Sequence, residues 1–355
     1  MIYNIQHNLV NESGVKDVDF NDIPLGRTFS DHMFICDYEN GEWVNPRIVP
    51  LELIPTHPAA MALHYGQAIF EGMKATMDDE GTPMLFRPDK NAERLNVSAN
   101  RMGMPEFPED LFTEALKQFV LVEKDWIPPM EGSALYLRPF MYADEPFIGM
   151  RAATSYRFMV IGSPAGPMFR RPIKLYAETK YIRAADGGTG EAKAAGNYAA
   201  AIRPTEIAKE KGFDQVLWLD ARDYKYIQEV GTMNIFFIIR GKVFTPSLDG
   251  SILSGITRMS VIELLKHKGF EIVERRITID EIIEAHKEGT LEEAFGTGTA
   301  VGVALIEQIG YKNMIIDFPE SSPVGQMVLE ELDAIRSGRK KDILNWMIKV
   351  ENELA

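Results

Sequence analysis

Hydrophobic and polar residues alternate along several short stretches of the chain, and this period of two predicts β-strands. Residues 33–37 and 43–49 alternate on either side of Asn40-Gly41, a dipeptide that favours a tight hairpin turn. A second hairpin is expected over residues 65–86, and its first strand carries aromatic side chains. Further strands are expected at 134–142, 156–161, 173–177, 215–219 and 234–239.

Other stretches repeat their apolar residues every three to four positions, which predicts amphipathic helices. In residues 108–126, Leu111, Ala115, Phe119 and Val122 recur at this spacing. Thr278-Ile279-Asp280-Glu281 has the form of a capping box, so a helix is expected to begin there and to end near Gly289. The remaining helices are expected at 58–64, 89–101, 194–212 and 257–269.

A cluster of helix and strand breakers, Ser163-Pro164-Ala165-Gly166-Pro167, interrupts these patterns near the middle of the chain. A chain of 355 residues is long enough for two domains. We therefore expect a domain at 1–165, a connecting loop at 166–175 and a second domain at 176–355.

The composition is that of an ordinary globular protein, with 45% hydrophobic and 25% charged residues. The net charge of −14 argues against nucleic acid or an anionic membrane surface as the partner. Cys36 is the only cysteine, which excludes an internal disulfide and favours a reducing compartment. The first residues do not resemble a signal peptide, and no apolar run reaches the roughly 20 residues of a membrane span, so a cytoplasmic location is expected.

The most informative stretch is 187–198, Gly-Gly-Thr-Gly-Glu-Ala-Lys-Ala-Ala-Gly-Asn-Tyr. It surrounds Lys193 with small residues, which leaves space for a flat, bulky aldehyde. A lysine in such a setting can lose its proton and attack a carbonyl. Tyr198 could donate a hydrogen bond to a phenolate-like oxygen nearby. The alternative is a glycine-rich loop with a solvated lysine.

Two later stretches fit a planar, phosphorylated pyridine ring. Glu229 precedes a turn of small residues and could keep a pyridine nitrogen protonated, although it could also be an exposed glutamate at a strand end. Ile256 and Thr257 follow Gly255 at an expected helix start, where free N–H groups can bind phosphate. The alternative there is simple capping of the helix by Thr257.

Two glycines in residues 295–300, Phe-Gly-Thr-Gly-Thr-Ala, allow a ligand to approach the backbone, so Thr299 and Ala300 could present N–H groups to an anion. The alternative is a bulge within a strand. Arg94 and Arg183 are candidate cations for a phosphate. The six histidines show no metal-ligand spacing, so no metal site is expected.

Together these segments resemble the branched-chain amino acid aminotransferases, which are fold type IV pyridoxal-phosphate enzymes. The resemblance covers about residues 30–350 and is carried by five ordered motifs, at 70–75 (Phe-Glu-Gly-Met-Lys-Ala), 136–139 (Tyr-Leu-Arg-Pro), 193–198, 229–234 and 295–300. It implies an α+β fold with a smaller N-terminal α/β domain and a larger C-terminal domain with a β-barrel-like core.

The resemblance also implies how pyridoxal 5′-phosphate (PLP) is bound. Lys193 would form the Schiff base and later move the proton between the substrate Cα and the cofactor C4′. Tyr198 would contact the phenolic oxygen, and Glu229, supported by Thr232, would contact the pyridine nitrogen. Arg94, Ile256 and Thr257 would hold the phosphate, with Thr299 nearby. Arg183 would lie close to the cofactor and contact the residues that bind it.

The implied substrates are L-leucine, L-isoleucine and L-valine, with 2-oxoglutarate and L-glutamate as the second pair in a ping-pong reaction. Their carboxylate would meet the backbone of Thr299 and Ala300 and the hydroxyl of Tyr136, which Arg138 would orient. Tyr65 and Phe70 would enclose the side chain, and Arg138 or a loop group would meet the side-chain carboxylate of glutamate. A homodimer is implied, in which a loop of one subunit closes the site of the other.

Two positions depart from some members of the family. Residues 301–304, Val-Gly-Val-Ala, lack the Cys-x-x-Cys pair found there in some animal members, and Met168 or Phe169 stands where others have a tyrosine. The alternatives with the same fold are a D-amino acid aminotransferase and an aminodeoxychorismate lyase. A catalytically silent PLP carrier, or a structural protein of this fold, is the alternative from another class.

Overall fold

The structure is a computed structural model, which describes residues 3–166 and 171–351. These residues form two compact units. The first consists of residues 3–166, Ala192–Ala195 and residues 333–351, and the second contains the remainder. Met168 and Phe169, the expected pocket residues of the connecting loop, lie outside the described residues.

The first unit is built on a nine-stranded, mainly antiparallel sheet, whose long central strands are β7 and β8. Its strands in chain order are β1 (Gln6–His7), β2 (His32–Glu39), β3 (Glu42–Pro50), β4 (Ala68–Phe70), β5 (Met73–Met77), β6 (Pro83–Phe86), β7 (Ala134–Ala143), β8 (Tyr156–Ala165) and the last strand of the chain, Met347–Lys349. The expected first hairpin is confirmed as β2 and β3, with Asn40 and Gly41 both at positive φ.

Helices α1 (Met61–Tyr65), α2 (Pro88–Arg101) and α3 (Glu109–Val122) belong to this unit, together with short 3₁₀ helices at Gly14–Asp17 and Lys124–Trp126. The apolar face of α3 predicted from the sequence is buried, with Leu111, Ala115 and Phe119 almost inaccessible. They join an aromatic core in which Phe107 and Phe158 stack with ring centroids 3.9 Å apart.

The second expected hairpin differs from the prediction in its first arm, which is two strands rather than one. β4 and β5 both pair with β7 and are separated by Glu71 and Gly72. The alternating pattern runs through this break, so the period alone could not show it. The break allows the Glu71 carboxylate to turn into the interior, where it is completely buried.

The second unit contains a nine-stranded mixed sheet in the spatial order β11-β10-β9-β16-β15-β12-β13-β14, with β17 paired to β16. Its strands are β9 (Ile173–Ala177), β10 (Gln215–Leu219), β11 (Ile227–Val230), β12 (Asn234–Ile239), β13 (Lys242–Thr245), β14 (Ile272–Glu274), β15 (Leu291–Gly298), β16 (Gly302–Tyr311) and β17 (Met314–Asp317). Continuous apolar runs such as Ile235–Ile238 are buried on both faces.

The remaining helices of the described residues are α4 (Ala195–Glu210), α5 (Ile256–His267), α6 (Ile279–Lys287) and α7 (Pro323–Arg336). The capping box expected at Thr278 is present, because its hydroxyl accepts from Glu281 N–H while the Glu281 carboxylate accepts from Thr278 N–H. Among residues 3–166 and 171–351, no helix has both the length and the apolar character of a membrane span.

The helices and the two sheets confirm the expected α+β, two-domain fold. The division of the chain between the two units differs from the expected domain boundaries, because residues 333–351 belong to the first unit. The reason is the strand Met347–Lys349, which pairs with β6. The first unit therefore holds more of the chain than the sequence indicated.

Candidate active site

Lys193 lies in the short segment Ala192–Ala195, which belongs to the first unit. Its carbonyl accepts a hydrogen bond from Phe70 N–H at 3.0 Å, and its own N–H donates to Ser98 Oγ at 2.9 Å. Ala192 and Ala194 on either side are buried, and Ala194 forms a bridge with Ile69. These contacts fix the backbone of Lys193 against β4, and its Nζ lies 5.0 Å from the centroid of the Phe70 ring.

Arg94 is a buried residue of α2, and its guanidinium pairs with the buried carboxylate of Glu71. Nε lies 2.9 Å from Glu71 Oε1 and Nη2 lies 2.6 Å from Oε2. The Asn91 amide adds a third hydrogen bond to Oε2 at 2.8 Å. The same helix contacts the lysine segment, because Ser98 Oγ, which donates to Arg94 O, accepts from Lys193 N–H. The structure therefore brings Arg94, Phe70 and Lys193 together.

Sequence reasoning gave no role to Glu71 or Ser98, although they connect these three residues. Both side chains are polar and fully buried. Glu71 follows Phe70 directly in the 70–75 motif, and its position in an apolar stretch is the available signal. Ser98 lies one helical turn after Arg94 on the same face of α2, and this spacing is the available signal.

Tyr136 and Arg138 lie on β7 and form one cluster with Phe70. The Arg138 guanidinium carbon is 4.7 Å from the Phe70 ring centroid, and its Nη2 donates to the Tyr136 hydroxyl at 3.2 Å. Among the described residues, Arg138 Nε is buried without a hydrogen-bond partner. A half-buried cation beside a phenol and an aromatic ring is suited to hold a carboxylate of a partly apolar molecule.

Gly72 is required by this cluster. A Cβ at this position would lie only 2.1 Å from the Tyr136 hydroxyl oxygen. By contrast, Tyr65 at the end of α1 is 39% exposed, and its ring contacts the neighbouring His64. Among the described residues, no ring contact or hydrogen bond joins Tyr65 to Phe70, Tyr136 or Arg138.

Glu229 is a buried residue of β11 in the second unit, which corrects the alternative of an exposed glutamate. Its Oε1 accepts from Leu253 N–H at 2.7 Å, and its Oε2 lies 3.0 Å from Arg183 Nε in an ion pair whose angle is poor for a hydrogen bond. Arg183 Nη2 donates to the carbonyls of Gly190 and Ser251. Arg183 thus contacts Glu229 directly and holds its carboxylate in place.

The glycine-rich loop before Lys193 is shaped by packing within the second unit. A Cβ on Gly190 would lie 2.2 Å from Ser251 O, so this glycine allows two backbone segments to meet. Asn197 on α4 closes the loop, because its amide donates to Thr189 O at 2.7 Å and accepts from Thr189 Oγ1 at 2.6 Å. Tyr198 follows Asn197 and is half-buried. At Gly190, this contact rather than space around the lysine stem accounts for the glycine.

Ile256 and Thr257 are the first two residues of α5, as expected. Gly255 is the N-cap, and no side chain caps the helix, so the alternative of capping by Thr257 is wrong. A Cβ on Gly255 would lie 2.0 Å from Asn234 Oδ1, while the Asn234 amide donates to Leu253 O at 2.9 Å. This arrangement leaves the first N–H groups of α5 without a side-chain acceptor, which is a favourable setting for an anion.

Thr299 and Ala300 form the turn between β15 and β16. The glycines before them make room for Met233, since Cβ atoms on Gly296 and Gly298 would lie 3.1 and 3.2 Å from that side chain. Thr232 is exposed in the turn that joins β11, the strand of Glu229, to β12.

Comparison with known proteins gives consistent results. Residues 68–309 match the family model described as amino-transferase class IV. The chain is 47% identical to branched-chain-amino-acid aminotransferase 2 of Bacillus subtilis, covering 94% of this chain and 93% of that protein. It is 41% identical to branched-chain-amino-acid aminotransferase of Mycobacterium tuberculosis, covering 92% of each.

Solved structures are similar over most of the chain as well. The branched-chain aminotransferase of Thermoproteus uzoniensis with norvaline has a TM-score of 0.75 and 25% identity, covering 90% of this chain and all of that one. The T.th. branched-chain amino acid aminotransferase complexed with N-(5′-phosphopyridoxyl)-L-glutamate has a TM-score of 0.72 and 26% identity, covering 89% of this chain and 98% of that one. With these likenesses and the family match over two thirds of its length, the chain belongs to the class IV aminotransferases.

Proposed function

We propose that this protein is a branched-chain amino acid aminotransferase, which moves the amino group of L-leucine, L-isoleucine or L-valine reversibly to 2-oxoglutarate. The observation that carries the proposal is Lys193, whose backbone is hydrogen-bonded to Phe70 and whose amine lies 5.0 Å from that aromatic ring. The proposal is supported by relatives that are named branched-chain aminotransferases and that align with this chain over nearly their whole length.

PLP is the cofactor of this family, and the residues present fit it. The uncapped N–H groups of Ile256 and Thr257 suit its phosphate. Arg94, whose guanidinium is paired with Glu71, and Thr299 are the further phosphate residues that the family resemblance implies. The buried Glu229 carboxylate suits its pyridine nitrogen and is held by Arg183, while Tyr198 suits its phenolic oxygen. Thr232 would contribute from the adjoining turn.

When bound, PLP supplies an electron-withdrawing ring that stabilises negative charge at the amino acid Cα. Lys193 would carry the proton between that Cα and the C4′ atom of the cofactor. Glu229 would keep a proton on the ring nitrogen, which maintains the electron demand of the ring. Fixing the Lys193 backbone through Ser98 and Phe70 limits the positions its amine can take and so favours proton transfer along one path.

The Phe70–Arg138–Tyr136 cluster suits the two kinds of substrate that the reaction needs. The Phe70 ring offers apolar contact to the side chain of leucine, isoleucine or valine, for which discrimination per methylene is only about 1–3 kcal/mol. Arg138 and the Tyr136 hydroxyl offer hydrogen bonds to a carboxylate, including the side-chain carboxylate of glutamate. Tyr65 and the backbone of Thr299 and Ala300 would complete the substrate contacts.

The test is the absorbance spectrum of the purified holoenzyme before and after addition of L-leucine. We expect the visible band of the bound cofactor to disappear with L-leucine and to return with 2-oxoglutarate. A band that ignores L-leucine but responds to D-alanine would favour a D-amino acid aminotransferase. Pyruvate release from aminodeoxychorismate would favour the lyase, and full activity of Lys193→Ala would refute the catalytic role of the lysine.

The homodimer is proposed on the exposed apolar residues of the first unit. In the loop after β7, Ile148 is 69% exposed and Met150 is 92% exposed, and Leu63 on α1 is 66% exposed. Exposed apolar residues that cluster in sequence favour an interface with another chain. We expect light scattering to give a dimer, and we expect Met150→Asp to weaken it; an active monomer would contradict this proposal.

We also propose a cytoplasmic location. Its support is Cys36, the single thiol of the sequence, which is buried on β2 and unpaired. Cell fractionation with an antibody to the protein tests it, and recovery in the membrane or secreted fraction would contradict it.

A further inference from the structure

The first unit contains a cavity of about 350 Å³ that the proposed reaction does not use. Its walls come from β5, from the turn before β7 and from the end of α7, and they include Lys74, Ser133 and Arg336. We call it the Lys74 cavity. Phe70, Tyr136 and Arg138 are absent from its lining, so it is separate from the candidate substrate cluster.

Two cations of the Lys74 cavity have no acidic partner within residues 3–166 and 171–351. Arg336 is 7% exposed, and its guanidinium carbon lies 4.4 Å from the Phe86 ring centroid. Lys74 is half-buried, and among the described residues neither side chain forms an ion pair or a hydrogen bond to an acid. Buried cations are normally paired. An anion from outside the chain would supply the missing charge.

The other charged groups of the wall do not fill this role. Arg339 pairs with Glu131 at 2.7 Å, and Asp78 pairs with Lys349 at 3.0 Å. Asp79 is exposed. Asp333 is near enough to favour the charged forms of Lys74 and Arg336, but it makes no ion pair with either.

The surroundings of the cavity change the pKa of the Lys74 amine. Burial, followed by the positive charge of Arg336, lowers the pKa of Lys74 to about 8, and Asp333 opposes this only in part. The positive charges of Lys74 and Arg336 repel each other, and a bound anion would offset this repulsion. The hydroxyl of Ser133, which is 8% exposed, is buried in the same wall without a hydrogen-bond partner among the described residues.

The apolar part of the wall includes Met77, Pro128, Pro129 and Met130. A volume of this size accommodates a small organic molecule. We propose that the Lys74 cavity binds a small metabolite, whose single carboxylate or phosphate group contacts Lys74, Arg336 and Ser133 and whose apolar body contacts the methionines and prolines.

The experiment measures the reactivity of Lys74 in the holoenzyme with limiting acetic anhydride, resolved by peptide mass spectrometry. Because only the neutral amine reacts, an anion that raises its pKa by one unit slows labelling about tenfold near neutral pH. The probes are 3-methylbutanoate and butyl phosphate, and the neutral 3-methylbutanamide is the control. Lys287, which is exposed, serves as the internal reference and should not change.

Protection by only one of the two anionic probes identifies its group, carboxylate or phosphate, as the one recognised, and protection by both identifies a general oxyanion site. Equal protection by the amide, or no protection by either anion, overturns the proposal. Because the readout belongs to Lys74 alone, probe bound at the catalytic centre does not contribute to it.

Variants locate the anion within the Lys74 cavity. Arg336→Met should abolish protection, whereas Arg339→Met, which removes a cation already paired with Glu131, should retain it. Since Arg336 is buried and its replacement could prevent folding, Ser133→Ala provides a second variant, in which protection should need about fivefold more anion. Wild-type protection in both Arg336→Met and Ser133→Ala would refute the assignment of these residues.

Discussion

Arg94 and Glu71 form a two-point ion pair in the interior of the first unit, with nitrogen–oxygen distances of 2.9 and 2.6 Å. Glu71 is completely buried, and Arg94 is 7% exposed. The pair joins α2 to the break between β4 and β5, directly beside Phe70. It therefore positions one candidate cofactor residue and one candidate substrate residue at the same time.

Glu71→Gln should destabilise the protein strongly. The substitution keeps the shape but leaves the Arg94 charge buried without its carboxylate, which typically costs about 3–5 kcal/mol. Chemical denaturation followed by circular dichroism measures the change. Glu93→Gln on the same helix is the matched control, because Glu93 pairs with Lys90 at the surface, where such pairs contribute about 1 kcal/mol or less. Similar losses in both variants would contradict the proposed importance of the buried pair.

Gly72→Ala should damage substrate binding through Tyr136. The new Cβ would lie 2.1 Å from the hydroxyl oxygen, so the phenol must move away from Arg138. We expect a rise of about tenfold or more in KM for L-leucine, which corresponds to the loss of a hydrogen bond to a charged group. Steady-state kinetics with each amino acid provides the measurement.

A second substitution separates the clash from the loss of the hydroxyl. In Gly72→Ala/Tyr136→Phe the closest atom is removed, and the next ring atom lies 3.0 Å from the added Cβ. The double variant should regain thermal stability relative to Gly72→Ala while its KM stays close to that of Tyr136→Phe. If Gly72→Ala alone leaves both stability and KM unchanged, the close contact is not important.

Glu229→Gln should reduce turnover more than it reduces cofactor binding. A neutral amide cannot keep a proton on the pyridine nitrogen, so kcat should fall by about a hundredfold or more, as with other preorganised electrostatic groups. Arg183 would also lose its ionic partner. Single-turnover absorbance with L-leucine measures the chemical step, and a PLP titration measures retention of the cofactor. Unchanged turnover would refute the role given to Glu229.

Local signals in the sequence predicted much of the fold. Asn40-Gly41 forms the first hairpin and Thr278 begins α6, because these features depend on residues within a few positions of each other. The pairing of Met347–Lys349 with β6 could not be predicted in the same way. It joins parts of the chain more than 250 residues apart and depends on packing.

The candidate site shows the same limit. The motifs pointed to Lys193 and Glu229, and the need for a cation at a phosphate pointed to Arg94. Their partners Ser98, Leu253 and Glu71 are set by tertiary contacts, for which the sequence contains no periodic signal. Gly190 was interpreted as space around the lysine, and Gly255 as the residue before an exposed helix start, yet each is needed to let protein atoms meet. Glycine marks a close approach but does not identify what approaches.

His32 and Glu123 should make the stability of the first unit depend on pH. The buried carboxylate of Glu123 contacts His32 Nδ1, and Val10 N–H donates to His32 Nε2 at 3.0 Å. Burial, followed by the negative charge of Asp31, raises the pKa of Glu123 to about 8, and burial lowers the pKa of His32. In the folded protein both groups therefore tend to be neutral near pH 7.

The two shifts have opposite consequences for stability. Between its ordinary pKa of 4.5 and about 8, Glu123 binds more protons in the folded state, so stability should fall as pH rises through this window. Below its ordinary pKa of 6.5, His32 binds fewer protons in the folded state, so stability should fall as pH decreases. Above pH 6.5 only the contribution of Glu123 remains, and thermal melts from pH 6.5 to 8.5 measure it.

Glu123→Gln should remove this fall in melting temperature between pH 6.5 and 8, because the amide does not titrate and remains neutral in the buried site. Glu106→Gln is the control, since Glu106 is exposed and its replacement should leave the pH profile as in the wild type. The loss of acid stability below pH 6.5 should persist in Glu123→Gln, since His32 is still buried. A Glu123→Gln profile parallel to that of the wild type across the whole range would show that the carboxylate is ionised in the folded protein and that its burial is compensated by the hydrogen bond from Asp31 N–H and by His32.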